Sequence, residues 1–338
     1  MNTSQNQQLD IDLLKKGAEI HHSVKCDLLN YLNDSFKENN QENLKLINIT
    51  KFIENKIKAG TKYSDSSPLK AGIAFPVGLN INDVVAHWSP NPSDTSQCLT
   101  KNDIIKIDYG VHFDGNVIDS AFSYSYSDKF SELIKISEEA TNKGCEMINP
   151  GVLINDISEA IQEIIESSEI EIDKKTYQVK SIQNLTGHQI EKYKIHGEKM
   201  IPNVVIPYYT ERIGDNELYA IETYPSTGKG VGTLYNSSDG ISHYMLNYDF
   251  RNIIPSSITL TSDERALLAT IKKKFGTLPF SRRWLSSLKI KRYLITLFKL
   301  VNKQIITEYP PYYEVKGSYV SQTEKNVIFV DGKKTILT

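Results

Sequence analysis

Apolar residues recur at three- and four-residue intervals from Ile11 to Phe36 (Leu13, Leu14, Ala18, Ile20, Val24, Leu28, Leu29, Leu32), a period that predicts an amphipathic helix. Residues 44–58 predict a second helix. Residues 70–86 read as strand and loop, punctuated by Pro76 and Gly78. From Ile104 to Tyr126 the pattern switches to alternation, and the Asp114-Gly115 dipeptide at its centre predicts a hairpin. Helical spacing returns over 133–148 and 154–167; in the second, Ile154, Ile157, Ala160, Ile161, Ile164 and Ile165 form a stripe fit to face a core. Strand-like runs follow at 176–183, 201–206, 217–224 and 315–330, with a helical region over 261–307. Strands and helices mix without a βαβ rhythm, so the expected class is α+β.

Composition narrows the picture further. A chain of 338 residues with net charge −2 is long enough for a large core and is not, as a whole, a polyanion binder. No apolar run approaches the roughly 20 residues needed to span a bilayer. The polar start, with no apolar h-region, leads us to expect a cytoplasmic protein that engages neither membrane nor DNA. Cys26, Cys98 and Cys145 lie far apart and form no CxxC pair, which argues against a zinc knuckle or a disulfide framework.

The chemistry begins in the hairpin. With Asp114-Gly115 at a two-residue turn, Gly110 faces Asp119 and His112 faces Val117 across the strands. Side chains alternate faces, so Asp108 and Asp119 share one face as diagonal neighbours, about 7–8 Å apart at the backbone. Apolar flanks (Ile105, Ile107, Ile118, Ala121, Phe122) argue that this face is buried. Two buried carboxylates repel unless a cation or a shared proton lies between them. The hairpin alone therefore leaves three readings open: a metal pair, a proton-sharing pair, or two solvated aspartates. Gly110, opposite Asp119, marks a place of close approach.

A two-metal hydrolytic site needs further ligands. His188 follows a glycine in Asn184-Leu185-Thr186-Gly187-His188, Glu222 sits in the apolar run Tyr219-Ala220-Ile221-Glu222-Thr223, and Glu324 ends Tyr319-Val320-Ser321-Gln322-Thr323-Glu324. Each alone is more often structural than functional. As an ordered set with its surroundings it resembles the type 2 methionine aminopeptidases of the pita-bread fold. The likeness runs in order through AGIAFPVGLNINDVVAHWSPN, IIKIDYGVHFDGNVIDSAF, YKIHGEKMIP, YAIETYPSTGKG, FGTLPFSRRWL and YPPYYEVKGSYVSQTE, over about residues 12–330.

That resemblance implies a single pita-bread catalytic domain over 12–338 after a short polar tail at 1–11, with a helical insertion at 249–308. It implies two divalent metals held by Asp108, Asp119, His188, Glu222 and Glu324, with Asp119 and Glu324 bridging. A hydroxide shared by the metals would attack the peptide. Co²⁺, Mn²⁺ or Fe²⁺ suits an oxygen-rich set with one imidazole and no thiolate, and Zn²⁺ is also compatible. Glu222 would shuttle a proton, His196 would stabilise the oxyanion, and His87 would contact the new N-terminal residue. Phe75, Ile195, His243 and Tyr309 would line the methionine pocket, and the substrates would be nascent polypeptide N-termini with a small second residue. The competing readings are a prolidase- or aminopeptidase P-like enzyme and a catalytically inactive binding protein on the same fold.

Several positions depart from the family pattern. Pro279 stands where the resemblance implies an alanine near the methionine pocket, a change that would narrow the pocket or stiffen its loop. Pro225 stands where glycine is usual, and Thr323 and Lys325 flank Glu324 in place of an aromatic and a histidine. Lys325 should point away from the Glu324 face. The Glu222–His243 spacing is about three residues long, which places an insert near 233–238. His21, His22 and His112 read as ordinary. Residues 265–303 hold eleven Lys/Arg and no Asp/Glu, leaving −13 on the rest of the chain. That run is read either as a solvated helical face or as a docking surface for ribosomal RNA.

Overall fold

The computed structural model describes residues 8–234 and 240–338, so the part of the expected insert at 235–239 lies outside the described residues. Helix α1 (Ile11–Lys37) starts where the Asp10 carboxylate accepts from the backbone N–H groups of Asp12 and Leu13. Its buried face (Leu14, Ala18, Val24, Leu28, Leu32) is the stripe the sequence predicts. Helix α2 (Leu46–Thr61) packs beside it and stops at Lys62, whose φ is +54°.

Both helices cover one sheet. Strands β1 (Ala71–Ile73), β2 (Gly78–Ile81) and β4 (Ile105–Phe113) pair antiparallel, with β5 (Asn116–Tyr124) completing the hairpin; β3 (Val84–Ala86) follows β2 in the chain and belongs to a different sheet. Gly110 pairs with Asp119 and His112 with Val117, the register the two-residue turn predicts. Asp114 and Gly115 both have positive φ, +46° and +77°, as a primed turn requires. Gly17 lets α1 lie close on this sheet, since a Cβ there would come within 2.9 Å of Ile118 Cγ1.

Helices α3 (Ser131–Met147) and α4 (Ile154–Glu166) cover a second sheet. Before it come the hairpin β6 (Glu169–Ile172) and β7 (Lys175–Gln178), and short β8 (Lys180–Ser181). The sheet itself runs in the order β10 (Met200–Pro202), β9 (Thr186–Ile190), β11 (Glu217–Thr223), β18 (Thr323–Val330), β19 (Lys333–Ile336). Only 201–202 of the expected 201–206 run is strand; Pro202 and Pro207 remove donors there. Only 323–330 of the 315–330 run is strand. Short β12 (Pro225–Ser226) pairs with β8, and β13 (Thr233–Leu234) with β17 (Tyr312–Tyr313).

The 261–307 region is less uniform than its sequence pattern. Helix α5 (Ser262–Lys274) opens with a capping box between Thr261 and Glu264. Gly276, at φ +61°, and Pro279 then break the helix, and β15 (Phe280–Ser281) joins β14 (His243–Leu246) and β16 (Ile306–Tyr309) in a three-stranded sheet. Helices α6 (Arg282–Ser287) and α7 (Tyr293–Asn302) follow β15. These elements share their own apolar cluster, including Tyr244, Leu267, Ile271, Phe280, Leu297 and Ile306. A buried clamp ties them to α2: the Arg283 guanidinium and the Trp284 indole N–H both donate to the Glu54 carboxylate, itself only 4% exposed.

Candidate metal centre

The two larger sheets meet along β5 and β18 through side chains rather than a backbone ladder. Ser120 Oγ donates to the Glu324 carbonyl at 2.6 Å, the Asp119 N–H donates to Asn326 Oδ1 at 2.7 Å, and Ser123 Oγ donates to the Gln322 carbonyl at 2.9 Å. Carboxyls from both sheets converge on this seam. On one side are Asp108 on β4 and Asp119 on β5. On the other, Glu222 on β11 pairs directly with Glu324 on β18, and Ala220 pairs with His188 on β9.

Asp119, His188 and Glu324 bring one ligand atom each within 4.8 Å of one another, a spacing that fits a cation between them. His188 Nε2 lies 3.5 Å from Asp119 Oδ2. The other ring nitrogen lies 3.4 Å from the Gln189 carbonyl, which can take only a donated N–H and so favours leaving Nε2 unprotonated. A lone pair turned toward a carboxylate calls for a cation between them. Asp108 Oδ1 and Glu324 Oε2 are buried without a hydrogen-bond partner among the described residues.

Electrostatics points the same way. Burial raises the Asp108 carboxyl to about 7. Burial, and secondarily the charge of Asp108, raises Glu222 to about 8. Asp119 and Glu324 are pushed well above the ordinary range by burial and then by their carboxylate neighbours. No lysine or arginine among the described residues pairs with any of the four. Four acids that cannot all ionise without imported positive charge are what a site for divalent cations requires.

Two contributors escape a reading by motif. Tyr224 donates to Glu222 Oε2, and Gln322 Nε2 donates to Tyr224 Oη at 2.9 Å and to Glu222 Oε2 at 3.3 Å. Each stands two residues from a carboxylate on the same strand run, so the alternation of faces is the signal that finds them.

The histidines gather on one side of the carboxyls. His196 lies edge-on to His188, with ring centroids 4.6 Å apart, and 6.0 Å from Tyr309. His87, at φ +64°, sits 6.1 Å from His243 and 5.8 Å from Tyr309. Desolvation lowers half-buried His87 to about 4 and buried His243 to about 3, so both are neutral; His196 shifts in the same direction, although its side chain reaches solvent. His243 pairs in register with Tyr309, and its Nε2 lies 3.2 Å from the Pro76 carbonyl, which must accept from it. Its Nδ1 then accepts from Ser242 Oγ at 2.9 Å. Phe75 and Ile195 share a buried cluster with Leu278. Gly110 makes room for Phe75, since a Cβ there would fall 2.2 Å from Phe75 Cε1.

The departures from the family pattern find local explanations. Thr323 bonds Ser137 Oγ at 2.8 Å, and its carbonyl accepts from Thr141 at 2.8 Å. Lys325 lines a separate cavity behind the seam, together with Lys15 and Lys25. Pro225 pairs in β12, where its carbonyl accepts from the Ser321 N–H at 3.0 Å. His21 is structural: it stacks on Tyr109 at 4.1 Å, and its Nε2 lies 3.1 Å from the Ser120 carbonyl.

The chain is similar to known proteins over most of its length. Methionine aminopeptidase 2 of Komagataella phaffii is 39% identical over 326 residues, covering 96% of this chain and 68% of that protein. Methionine aminopeptidase 2A of Arabidopsis thaliana is 40% identical, covering 96% and 69%. Among solved structures, a thermophilic Arx1 superposes with a TM-score of 0.77 at 15% identity over 97% of this chain and 91% of that one, a likeness of fold alone. Residues 12–243 match the metallopeptidase family M24. With carboxyl-rich chemistry at the seam and this extent of likeness, the chain belongs to metallopeptidase family M24, on its type 2 methionine aminopeptidase branch.

Proposed function

We propose that the chain is a two-metal exopeptidase that removes methionine from polypeptide N-termini whose second residue is small, with Asp108, Asp119, His188, Glu222 and Glu324 as the ligands. The observation that carries this reading is a cluster of four carboxyls, Asp119 and Glu324 buried and Asp108 and Glu222 half-buried, with no cationic partner among the described residues and an imidazole nitrogen turned toward it. Divalent cations bound there would supply the missing positive charge, make a water nucleophilic near neutral pH and polarise the scissile carbonyl. Co²⁺, Mn²⁺ and Fe²⁺ suit this donor set, with Zn²⁺ also compatible.

The chain's own groups do the rest. Tyr224 and Gln322 hold Glu222 Oε2, which leaves the other oxygen to take a proton from the attacking water and deliver it to the leaving amine. A neutral His196 donates an N–H to the oxygen that gains charge, a contribution of about 3 kcal/mol when such donors are preorganised. His87 contacts the backbone of the residue that becomes the new N-terminus. Phe75, Ile195, His243 and Tyr309 enclose the methionine side chain. The 249–308 segment is an insertion on one catalytic unit over 12–338.

The metal-reconstituted protein tests this on a peptide panel. Release of methionine from Met-Ala and Met-Gly peptides, with Xaa-Pro bonds left intact, is expected. Cleavage of Xaa-Pro would move the chain to the prolidase-like reading. No turnover with any of the four metals would make it a binding protein.

The basic segment 265–303 supports a further element of the reading, ribosome docking. Lys274, Arg283 and Lys303 are tied to Asp65, Glu54 and Glu264. Lys273, Lys289, Lys291 and Lys299 are exposed and form no ion pair among the described residues, which suits a phosphate backbone. Ribosome cosedimentation that weakens steeply with salt is expected; salt-insensitive cosedimentation would overturn this element.

A further inference from the structure

A cavity of about 300 Å³ lies where the 276–288 segment meets the first sheet. It is at the small end of ligand sites. Its walls are mostly rings and aliphatic groups, among them Tyr63, Leu69, Phe275, Pro279, Trp284 and Leu288. His112 lines it from β4. That side chain is 2% exposed, and its Nδ1 is buried without a hydrogen-bond partner among the described residues. Burial holds it near 4, so the ring is neutral and carries one acceptor lone pair.

The wall has little to offer that lone pair. Tyr63 Oη donates to Asp65, Ser287 Oγ to the Trp284 carbonyl, and the Trp284 indole N–H to Glu54. Lys274 is engaged by Asp65, and Lys58 lies over the Tyr63 ring. Leaving a buried polar group unpaired is unfavourable, so a molecule entering the cavity with a polar hydrogen gains a bond that the protein does not supply.

We propose that this cavity is a binding site for a small, flat, mostly apolar molecule with one N–H or O–H group, of the indole or phenol class, seated against the rings and donating to His112. The site is distinct from the carboxyl cluster. None of the five proposed ligands lines it, and of the buried cluster that holds Phe75 only Leu278 does.

The probe is fluoroindole, observed by its fluorine resonance on the metal-loaded protein. Binding with Kd on the order of 0.1–1 mM is expected. Its N-methyl derivative, which cannot donate, should bind about tenfold more weakly. In His112→Phe the two probes should bind alike. Ser287→Trp, on the exposed rim, should abolish binding with the melting temperature unchanged. Bromoindole soaked into crystals should show its bromine signal between His112 and Trp284. Equal binding of both probes to the native protein, no binding at about 5 mM, or binding that survives Ser287→Trp would each overturn the proposal. These readouts need no turnover. A chain that binds fluoroindole but cleaves no methionyl peptide would sink the peptidase reading and leave this one standing.

Discussion

Divalent cations should bind this protein with a steep dependence on pH, and the carboxyl cluster sets how steep. In the metal-free protein burial raises Asp108 to about 7 and Glu222 to about 8, and burial with the neighbouring carboxylates raises Asp119 and Glu324 well above the ordinary carboxylate range. At pH 6 a cation must therefore displace at least two protons. Apparent affinity should rise by about two decades per pH unit near that point. A hundredfold change is about 2.7 kcal/mol. For 338 residues the unfolding entropy is about 0.7 kcal/mol/K, so the gap in melting temperature between loaded and stripped protein should shrink by about 4 °C from pH 7 to pH 6.

The difference between the two forms is the informative quantity, because the absolute stability of the stripped protein mixes opposing effects. A carboxyl with a raised folded pKa stabilises fully below its unfolded value of about 4, and that contribution is lost as pH climbs through 7 and 8. The buried histidines work in the opposite sense. His112 and His243 are depressed to about 4 and about 3 by burial, so their contribution is present above about 6.5 and lost as pH falls. They are neutral in both forms and cancel, as does His188, which is neutral whether or not it is a ligand. Calorimetry in two buffers of different ionisation enthalpy counts the protons, and scanning fluorimetry with and without chelator gives the temperature gap. Fewer than one proton displaced at pH 6, or a gap that does not move with pH, would refute the reasoning.

Other expectations follow from single contacts. Glu222→Gln should lower kcat by at least about a hundredfold while leaving the melting temperature within a few degrees, because the amide keeps the shape but carries no proton; near-normal turnover would remove Glu222 from the mechanism. In Gly110→Ala the new methyl would fall 2.2 Å from Phe75 Cε1 and 2.8 Å from Ala74 Cβ, displacing Phe75. KM for methionyl peptides should rise about tenfold with metal content retained, and an unchanged KM would separate Phe75 from the substrate pocket. Glu54→Ala leaves the Arg283 guanidinium and the Trp284 N–H buried without their shared acceptor, at a cost of about 3–5 kcal/mol. Chemical denaturation should show that loss together with a change in Trp284 emission; a change below about 1 kcal/mol would mean that the clamp is replaceable.

What the sequence reveals follows the range of the interactions involved. Helix α1 ends within a residue of its predicted stripe, because its face repeats locally and Asp10 caps it. The β4–β5 register follows from one dipeptide, since a two-residue turn leaves no freedom of alignment. The β14–β15–β16 sheet is hidden because strands of two to four residues carry too few alternations to show a period, and α5 and α7 dominate the surrounding pattern.

The site divides along the same line. Asp108 and Asp119 are brought together by a local turn, so composition and alternation alone raise the question of a cation. His188, Glu222 and Glu324 meet only when β9, β11 and β18 align as Ala220 with His188 and Glu222 with Glu324, pairings separated by as many as 102 positions in sequence. No window of sequence contains that alignment, so from residues alone each of the three reads as an ordinary strand or loop residue, and only an ordered family resemblance joins them. Tyr224 and Gln322 mark the intermediate case. They were within reach of period-two reasoning once Glu222 and Glu324 were suspected, because a strand that presents one carboxylate to a buried face presents its second neighbour to that face as well. A buried acid needs such neighbours to hold its oxygens. Same-face positions two residues from any strand carboxylate are therefore where unassigned orienting groups should be sought first.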